Sequence, residues 1–521
     1  MENNYSSRAV KGAWILAIAS FVSEFLSAVY RIPLQNIVGD QGYFIYQQVY
    51  PIYGIFTVLS LTGLPVVLSK VYADQDNERS KRRLFFRLFW ILTIISVFIT
   101  AFLVVFSDQI SLLMGDIGLT NEVKIVSLAF LLVPLESNLR AYFQSDLLMQ
   151  PSAISQVVEQ IVRVFIIIVS AIIFGKGTIN LYQMGTLANS GAFFGGIASI
   201  FILLITYIYF SRIKNEEKTK KTKPLVISKG LVFEIVLIVT FTGITIFYQL
   251  IDTFTMIHQL KLFGFSLYDA EVQKGIFDRA QPILQLGIVI SLSFVSSIMP
   301  QLRRSNNNRQ IISRMVRVCI WLSFAETAGL LALMPVINTM LFKDSRGSIT
   351  IGVYLLSIIL ISLINLIVVI SSEDKSQNIS KLLAFGVSIF IKIGLNILLV
   401  SHFGILGAAI STIASELILL IWIFISYQKT TTNSLLSIKF ISKVFVTSLI
   451  MGIFVEIISL LMMKLLDLTR LSGVLICIVS IPVGVILYFV ITKYWKVLDV
   501  NEWQILPKGK FITRIMKIED K

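Results

Sequence analysis

Five basic residues, Arg31, Arg140, Arg163, Arg279 and Lys392, stand inside otherwise apolar stretches, together with nine acidic ones, Glu24, Glu136, Glu159, Glu234, Asp252, Asp278, Glu326, Glu416 and Glu456. Each costs roughly 2.5–3.5 kcal/mol at the centre of a bilayer unless it faces protein or water. Their spacing decides where they point. Gln156, Glu159, Gln160 and Arg163 fall at helical offsets 0, 3, 4 and 7, one continuous face. Glu136, Arg140 and Gln144 follow each other one turn apart, as do Asp278, Gln281 and Gln285 in near-helical register with Arg279 alongside. Ser20, Glu24, Ser27 and Arg31 form another stripe, and Tyr46, Tyr50 and Tyr53 a further one. Isolated pairs such as Glu159 with Arg163 could simply glue helices, and a terminal arginine could snorkel. So many stripes together imply a hydrated cavity.

Other chemistries lack their residues. Cys319 and Cys477 lie in separate apolar runs, and His258 and His402 are far apart, so neither a disulfide framework nor a His/Cys metal cluster is expected. Gly175-Lys176-Gly177-Thr178 lacks the glycine spacing of a phosphate loop, so ATP is not expected to supply energy. A transporter rather than an enzyme is expected, without a cofactor, driven by membrane potential, H+ or Na+.

The elements that must position these residues are membrane helices. Of 521 residues, 56% are hydrophobic and only 14% charged, and the runs Leu88 to Ser107 and Gly347 to Ser372 carry no charge. That exceeds the ~18 apolar residues of a membrane span several times over. The pattern predicts an all-α polytopic membrane protein of fourteen helices, near 13–34, 44–69, 85–107, 122–143, 153–174, 184–210, 231–257, 276–300, 316–342, 349–371, 378–401, 403–427, 441–464 and 471–493. With both termini inside, the inner segments hold 32 Lys and Arg and the outer segments 8, an asymmetry that predicts this orientation. The formal charge of +15 then reflects topology and attraction to anionic membrane lipids, with no need for nucleic acid. Gly63-Leu64-Pro65 before Lys70 and Ile298-Met299-Pro300 before Arg303 hint at a duplication six helices apart. The expected organisation is an N-lobe (1–210), a basic cytoplasmic linker (211–230), a C-lobe (231–427), two further helices (428–493) and a basic tail (494–521).

Several motifs resemble those of MurJ/SpoVB-type flippases of the multidrug/oligosaccharidyl-lipid/polysaccharide (MOP) exporter superfamily. They are Tyr30-Arg31-Ile32-Pro33-Leu34, Gly39 and Gly42, Tyr46-Gln47, Tyr50-Pro51, Tyr53 and Gly63-Leu64-Pro65 with Ser69-Lys70. Arg140-Ala141-Tyr142-Phe143-Gln144, Pro151, Ser155-Gln156, Glu159-Gln160, Arg163 and Asp278-Arg279 with Gln281-Pro282 and Gln285 complete them. The resemblance implies two six-helix lobes around a cationic cavity, a lipid-tail groove on the last two helices, and an undecaprenyl-pyrophosphate-linked glycan as substrate. Lipid II is the first expectation, with an exopolysaccharide or teichoic-acid repeat unit as the alternative and a MATE-like drug/cation antiporter as the rival; cell-wall synthesis machinery is the expected protein partner. It places Arg31 and Arg279 against the pyrophosphate. It also places a cation site on Asp252, Asn396 and Thr412, although Val400 stands where a further carboxylate is expected. Glu24 replaces a basic residue and Ser145 a glycine common in relatives.

Overall fold

The computed structural model describes residues 2–75, 77–213, 229–289, 309–371, 377–430, 437–506, 509 and 513–514. Among them the regular structure is helical throughout. Twelve helices are long and apolar enough to cross a membrane, and Gly230–Thr242 with Ile244–Phe263, bent by 70° to one another, makes a thirteenth when the pair is counted as one span. Each corresponds to a predicted helix. The fourteenth, predicted at 276–300, is described only to residue 289, and most of the basic linker and tail also lie outside the described residues.

The chain divides into two compact units, 1–275 and 276–521. The first begins with α1 (Glu2–Val29) and α2 (Arg31–Gln48). The spacing predicts one helix ending near 34 and another starting near 44; instead α2 runs through this stretch and is kinked at Gly39. There φ is +72° and ψ −176°, a conformation essentially reserved for glycine. After a break at Val49, α3 (Tyr50–Thr57) leads into a widened π turn at Val58–Gly63, and α4 (Leu64–Ala73) follows. Pro65 explains the turn, since its ring cannot donate to the carbonyl four residues earlier.

Next come α5 (Glu78–Val105), α6 (Ser107–Leu113), α7 (Thr120–Ser127), α8 (Val133–Ser145), α9 (Gln150–Gly175) and α10 (Leu181–Ile213). Helices α9 and α10 pack along their lengths because α10 is smooth where they meet. A Cβ on Gly195 would lie 2.8 Å from the Glu159 carbonyl oxygen. The same unit holds α11 (Lys229–Thr242), α12 (Ile244–Phe263) and most of α13 (Leu267–Asp278). Gly54 and Gly63 make room for them, because a Cβ on either would strike Ile246 or Val239.

The second unit contains residues 280–289, which are helical, then α14 (Arg309–Phe342), α15 (Ser348–Leu355), α16 (Ser357–Ile370), α17 (Asn378–Phe403), α18 (Ile405–Thr430), α19 (Ile438–Leu465), α20 (Arg470–Tyr494) and α21 (Val500–Ile505). Helices α17 and α18 form a tight hairpin, since a side chain on Gly407 would overlap the backbone of Leu399. Helices α19 and α20 are fastened to α14. Trp321 Nε1 donates to Thr492 Oγ1 at 2.9 Å, the Tyr488 hydroxyl donates to the Trp321 carbonyl at 2.8 Å, and Trp503 of α21 stacks its edge against Trp321.

Candidate functional site

Arg140 on α8 is fully buried, and all five of its N–H groups are engaged. Nε donates to Ser155 at 3.3 Å, Nη1 to the Ser60 carbonyl at 2.9 Å and to Glu136 at 3.5 Å, and Nη2 to Glu159 and Ser199 at 2.8 Å each. The Ser60 carbonyl belongs to the π turn, so the guanidinium reaches into the widened backbone as well as joining α8, α9 and α10. Every donor of Arg140 is spent within the unit, and the two glutamates meet its charge.

Arg163, one turn beyond Glu159, has a different setting. Its Nη2 donates to the Tyr46 hydroxyl at 2.7 Å and the Tyr30 hydroxyl at 3.1 Å, and these two phenols lie 2.7 Å apart. The guanidinium carbon sits 3.7 Å from the centre of the Tyr53 ring. Arg31 approaches from α2, 4.6 Å from the Tyr50 ring and 5.9 Å from that of Tyr30, and Arg163 lies 5.6 and 5.5 Å from the same two rings. Two buried guanidiniums thus flank a shared set of tyrosines, with exposures of 0% for Arg31 and 3% for Arg163. Among the described residues no carboxylate forms an ion pair with Arg163; Glu24, two turns before Arg31, is within electrostatic reach of both arginines. Ring faces and phenol oxygens hold the Arg163 charge in place without neutralising it.

The remaining predicted residues of this unit surround these centres less closely. Gln47 and Gln160 are buried; Gln144 donates to Ser152 and Gln156 to Ser20, both at 3.4 Å. Tyr50 lies under Arg31, as its place in the tyrosine stripe suggests, even though the helix restarts at that point. Tyr30 was legible only as a neighbour of Arg31 in a motif, and Ser60 and Ser199 carried no signal, because their part depends on helices far apart in sequence.

In the second unit Arg279 is fully buried and clamped by Asp344, whose carboxylate accepts from Nη1 at 2.8 Å and Nη2 at 3.2 Å. The Asn338 carboxamide oxygen lies 3.5 Å from Nη1 and the Phe342 ring 5.4 Å from the guanidinium carbon. Asp344 sits in the turn between α14 and α15 and also accepts from Arg346 at 2.9 Å. Partial burial alone would raise its pKa, but Arg279 and Arg346 hold the carboxyl well below its usual range. Nothing in the sequence singled out Asp344 among the charges of that turn. Gln281 donates to the Tyr354 hydroxyl at 3.2 Å, and Gln285 is half-buried.

Of the three residues expected at a cation site, Asn396 and Thr412 come together on the α17–α18 hairpin, while Asp252 belongs to the first unit. Lys392 Nζ lies 2.5 Å from Thr412 Oγ1, 3.1 Å from Ser411 Oγ and 3.2 Å from the Ala408 carbonyl. Ser411 donates to the Asn396 carboxamide in turn. A second cation on these oxygens would sit about 4 Å from the ammonium, a repulsion of roughly 4 kcal/mol at the effective dielectric of a protein. The oxygens do not fit a metal ion while Lys392 occupies them, and no group of three or more His, Cys, Asp or Glu among the described residues could hold one.

The polysaccharide biosynthesis protein family matches residues 9–306. The chain is 32% identical over 415 residues to the uncharacterized membrane protein YabM of Bacillus subtilis (strain 168), covering 78% of this chain and 77% of that one. It is 25% identical over 489 residues to the lipid II flippase MurJ of the same organism, covering 87% and 89%. Among solved structures it is similar to lipid II flippase MurJ in an inward closed conformation, with a TM-score of 0.67, 14% identity and coverage of 92% and 98%. An outward-facing MATE multidrug transporter of the MOP superfamily matches with a TM-score of 0.54 at 13% identity over 81% and 96%. At these identities the structural likenesses speak to fold alone.

Proposed function

Because the chain belongs to the polysaccharide biosynthesis protein family, as a MurJ/SpoVB-type member of the MOP exporter superfamily, we propose that it flips an undecaprenyl-pyrophosphate-linked cell-wall precursor from the inner to the outer leaflet of the bacterial cytoplasmic membrane. Lipid II is the substrate best supported, since the relative called a lipid II flippase aligns over 87% of this chain and the stage V sporulation protein B over 39%.

The observation that carries the reading is the pair Arg31 and Arg163 over one tyrosine cluster, both buried, with Arg163 free of any ion pair among the described residues. A buried guanidinium such as Arg163, held by phenols and rings without an ion pair among the described residues, is costly to bury, and an arriving dianion relieves that cost. Pyrophosphate suits the pair because each guanidinium donates two parallel hydrogen bonds. The isoprenoid stays in hydrocarbon, so only the charged head and sugar must cross ~30 Å of bilayer. Exposure of the centre to the two sides in turn, by alternating access, completes the transfer, and movement of anionic charge in the membrane potential supplies ~2.3 kcal/mol per charge per 100 mV. Arg279 serves as a second anion contact, with the substrate exchanging for Asp344. Arg140, whose donors are all spent, supports α8, α9 and α10.

The test is a flipping assay in proteoliposomes with fluorescent lipid II, the wild type compared with Arg31→Ala and Arg163→Ala. Loss of flipping in both variants with insertion intact is expected; normal rates in both would remove the anion-site reading. A substrate panel including teichoic-acid and exopolysaccharide precursors assigns the glycan.

A further inference from the structure

The Lys392 head group is held as a built-in cation. Lys392 and Asn396 are one turn apart on α17, and Ala408, Ser411 and Thr412 occupy the facing turn of α18; Lys392, Asn396, Ser411 and Thr412 are all fully buried. The hydrogen positions follow from counting. The Thr412 hydroxyl has one hydrogen, donated to the Ala408 carbonyl at 2.9 Å. The Ser411 hydroxyl also has one, donated to Asn396 or to the Ala408 carbonyl. The three oxygens facing Nζ therefore offer lone pairs only, and an ammonium has three hydrogens to give where a neutral amine has two and a lone pair of its own. A carbonyl, two hydroxyls and a carboxamide behind them are also the donor set of a small monovalent-cation site.

We infer that the α17–α18 hairpin is a monovalent-cation cage filled permanently by the ammonium of Lys392, so that this chain binds no sodium there, and that removing the lysine uncovers the cage. The lysine stem ties the cation to α17, so occupancy cannot follow the external sodium concentration. The inference concerns binding, and its readouts do not depend on which substrate is moved.

Full-length wild type and Lys392→Ala, purified in detergent, are compared by thermal unfolding in sodium chloride, methylammonium chloride and choline chloride at equal ionic strength, and by radioactive sodium binding. Expected are one melting temperature for the wild type in all three salts and no saturable sodium binding. Lys392→Ala should melt lower in choline and recover in sodium or methylammonium, with saturable sodium binding gained. Saturable sodium binding by the wild type, or its stabilisation by sodium over choline, overturns the inference. So does a folded Lys392→Ala that responds to neither small cation. If that variant does not accumulate, the wild-type measurements still decide, since sodium binding there would show the cage open.

Discussion

Arg140 and Arg163 look alike in the sequence, one turn-spaced stripe apart, yet their surroundings assign them opposite tasks. Arg140 has five acceptors for five donors, two of them carboxylates, so Arg140→Ala leaves Glu136 and Glu159 buried together without their cation. Breaking a buried pair in this way costs about 3–5 kcal/mol, and the expected result is loss of folded protein on fluorescence-detected size-exclusion chromatography. Arg163→Ala removes a charge held only by phenols and rings, and should yield well-folded protein without transport. Tyr53→Phe keeps the ring beneath Arg163 and should transport normally, whereas Tyr53→Leu forfeits a cation–π contact of about 0.5–2 kcal/mol, read as substrate affinity weaker by roughly 2- to 30-fold. A normal affinity in Tyr53→Leu would mean that the ring does not orient Arg163. The arginines were legible because charge is conspicuous in apolar sequence. Their division was not, because it turns on Ser60, Ser199 and Tyr30, ordinary residues brought in from other helices.

Helix periodicity made most elements legible, since thirteen predicted spans correspond to described ones. It failed where the backbone departs from regular α geometry. The gap predicted at 35–43 falls on a kink at Gly39 rather than on a loop, because that glycine turns the backbone within α2 and helical residues continue on both sides. Gly195 illustrates a closeness that periodicity cannot foresee: Gly195→Val would push α10 away from the Glu159 carbonyl, overpacking that costs about 1–3 kcal/mol. A lower melting temperature and reduced flipping are expected, and an unchanged melting curve would show that α9 and α10 can separate freely. At the other end, α21 is a six-residue helix fastened by Trp503 and by Glu502, which pairs with Arg317 at 3.0 Å. Burial pushes the Glu502 carboxyl up to about 7 despite Arg317 and the Asp499 amide. A carboxyl raised on folding binds its proton more tightly in the folded state, so its contribution is complete below the ordinary value near 4.5 and is lost as pH rises through about 7. Protease protection of the C-terminal segment should therefore fall between pH 5 and pH 8, as an order-of-magnitude window about that pKa. Glu502→Gln should flatten the profile.

At the scale of the whole molecule, an orientation is predicted from charge, and charge is fully legible in the sequence. Of the 45 Lys and Arg, Arg31, Arg140, Arg163, Arg279 and Lys392 are assigned to the membrane stripes, and the other 40, in loops or at the ends of predicted spans, divide 32 to 8 between alternate sides. Basic residues beside a span resist crossing the membrane during insertion, so the richer side is expected to be cytoplasmic. In the first unit Lys70, paired with Glu234, and the basic start of α5 belong to the segments expected inside, as do Lys381 and Lys443 in the second. On that expected orientation the turn carrying Asp344 and the turn between α19 and α20 would face outward, and the Arg279–Asp344 clamp would stand at the external end of its unit. In an otherwise cysteine-free background, a cysteine replacing Lys218 should react with a membrane-impermeant maleimide only in inverted vesicles, and one replacing Asp467 only in intact cells. The reverse pattern would place Asp344 and Arg279 at the cytoplasmic end and would require substrate to meet Arg279 on entry rather than on release.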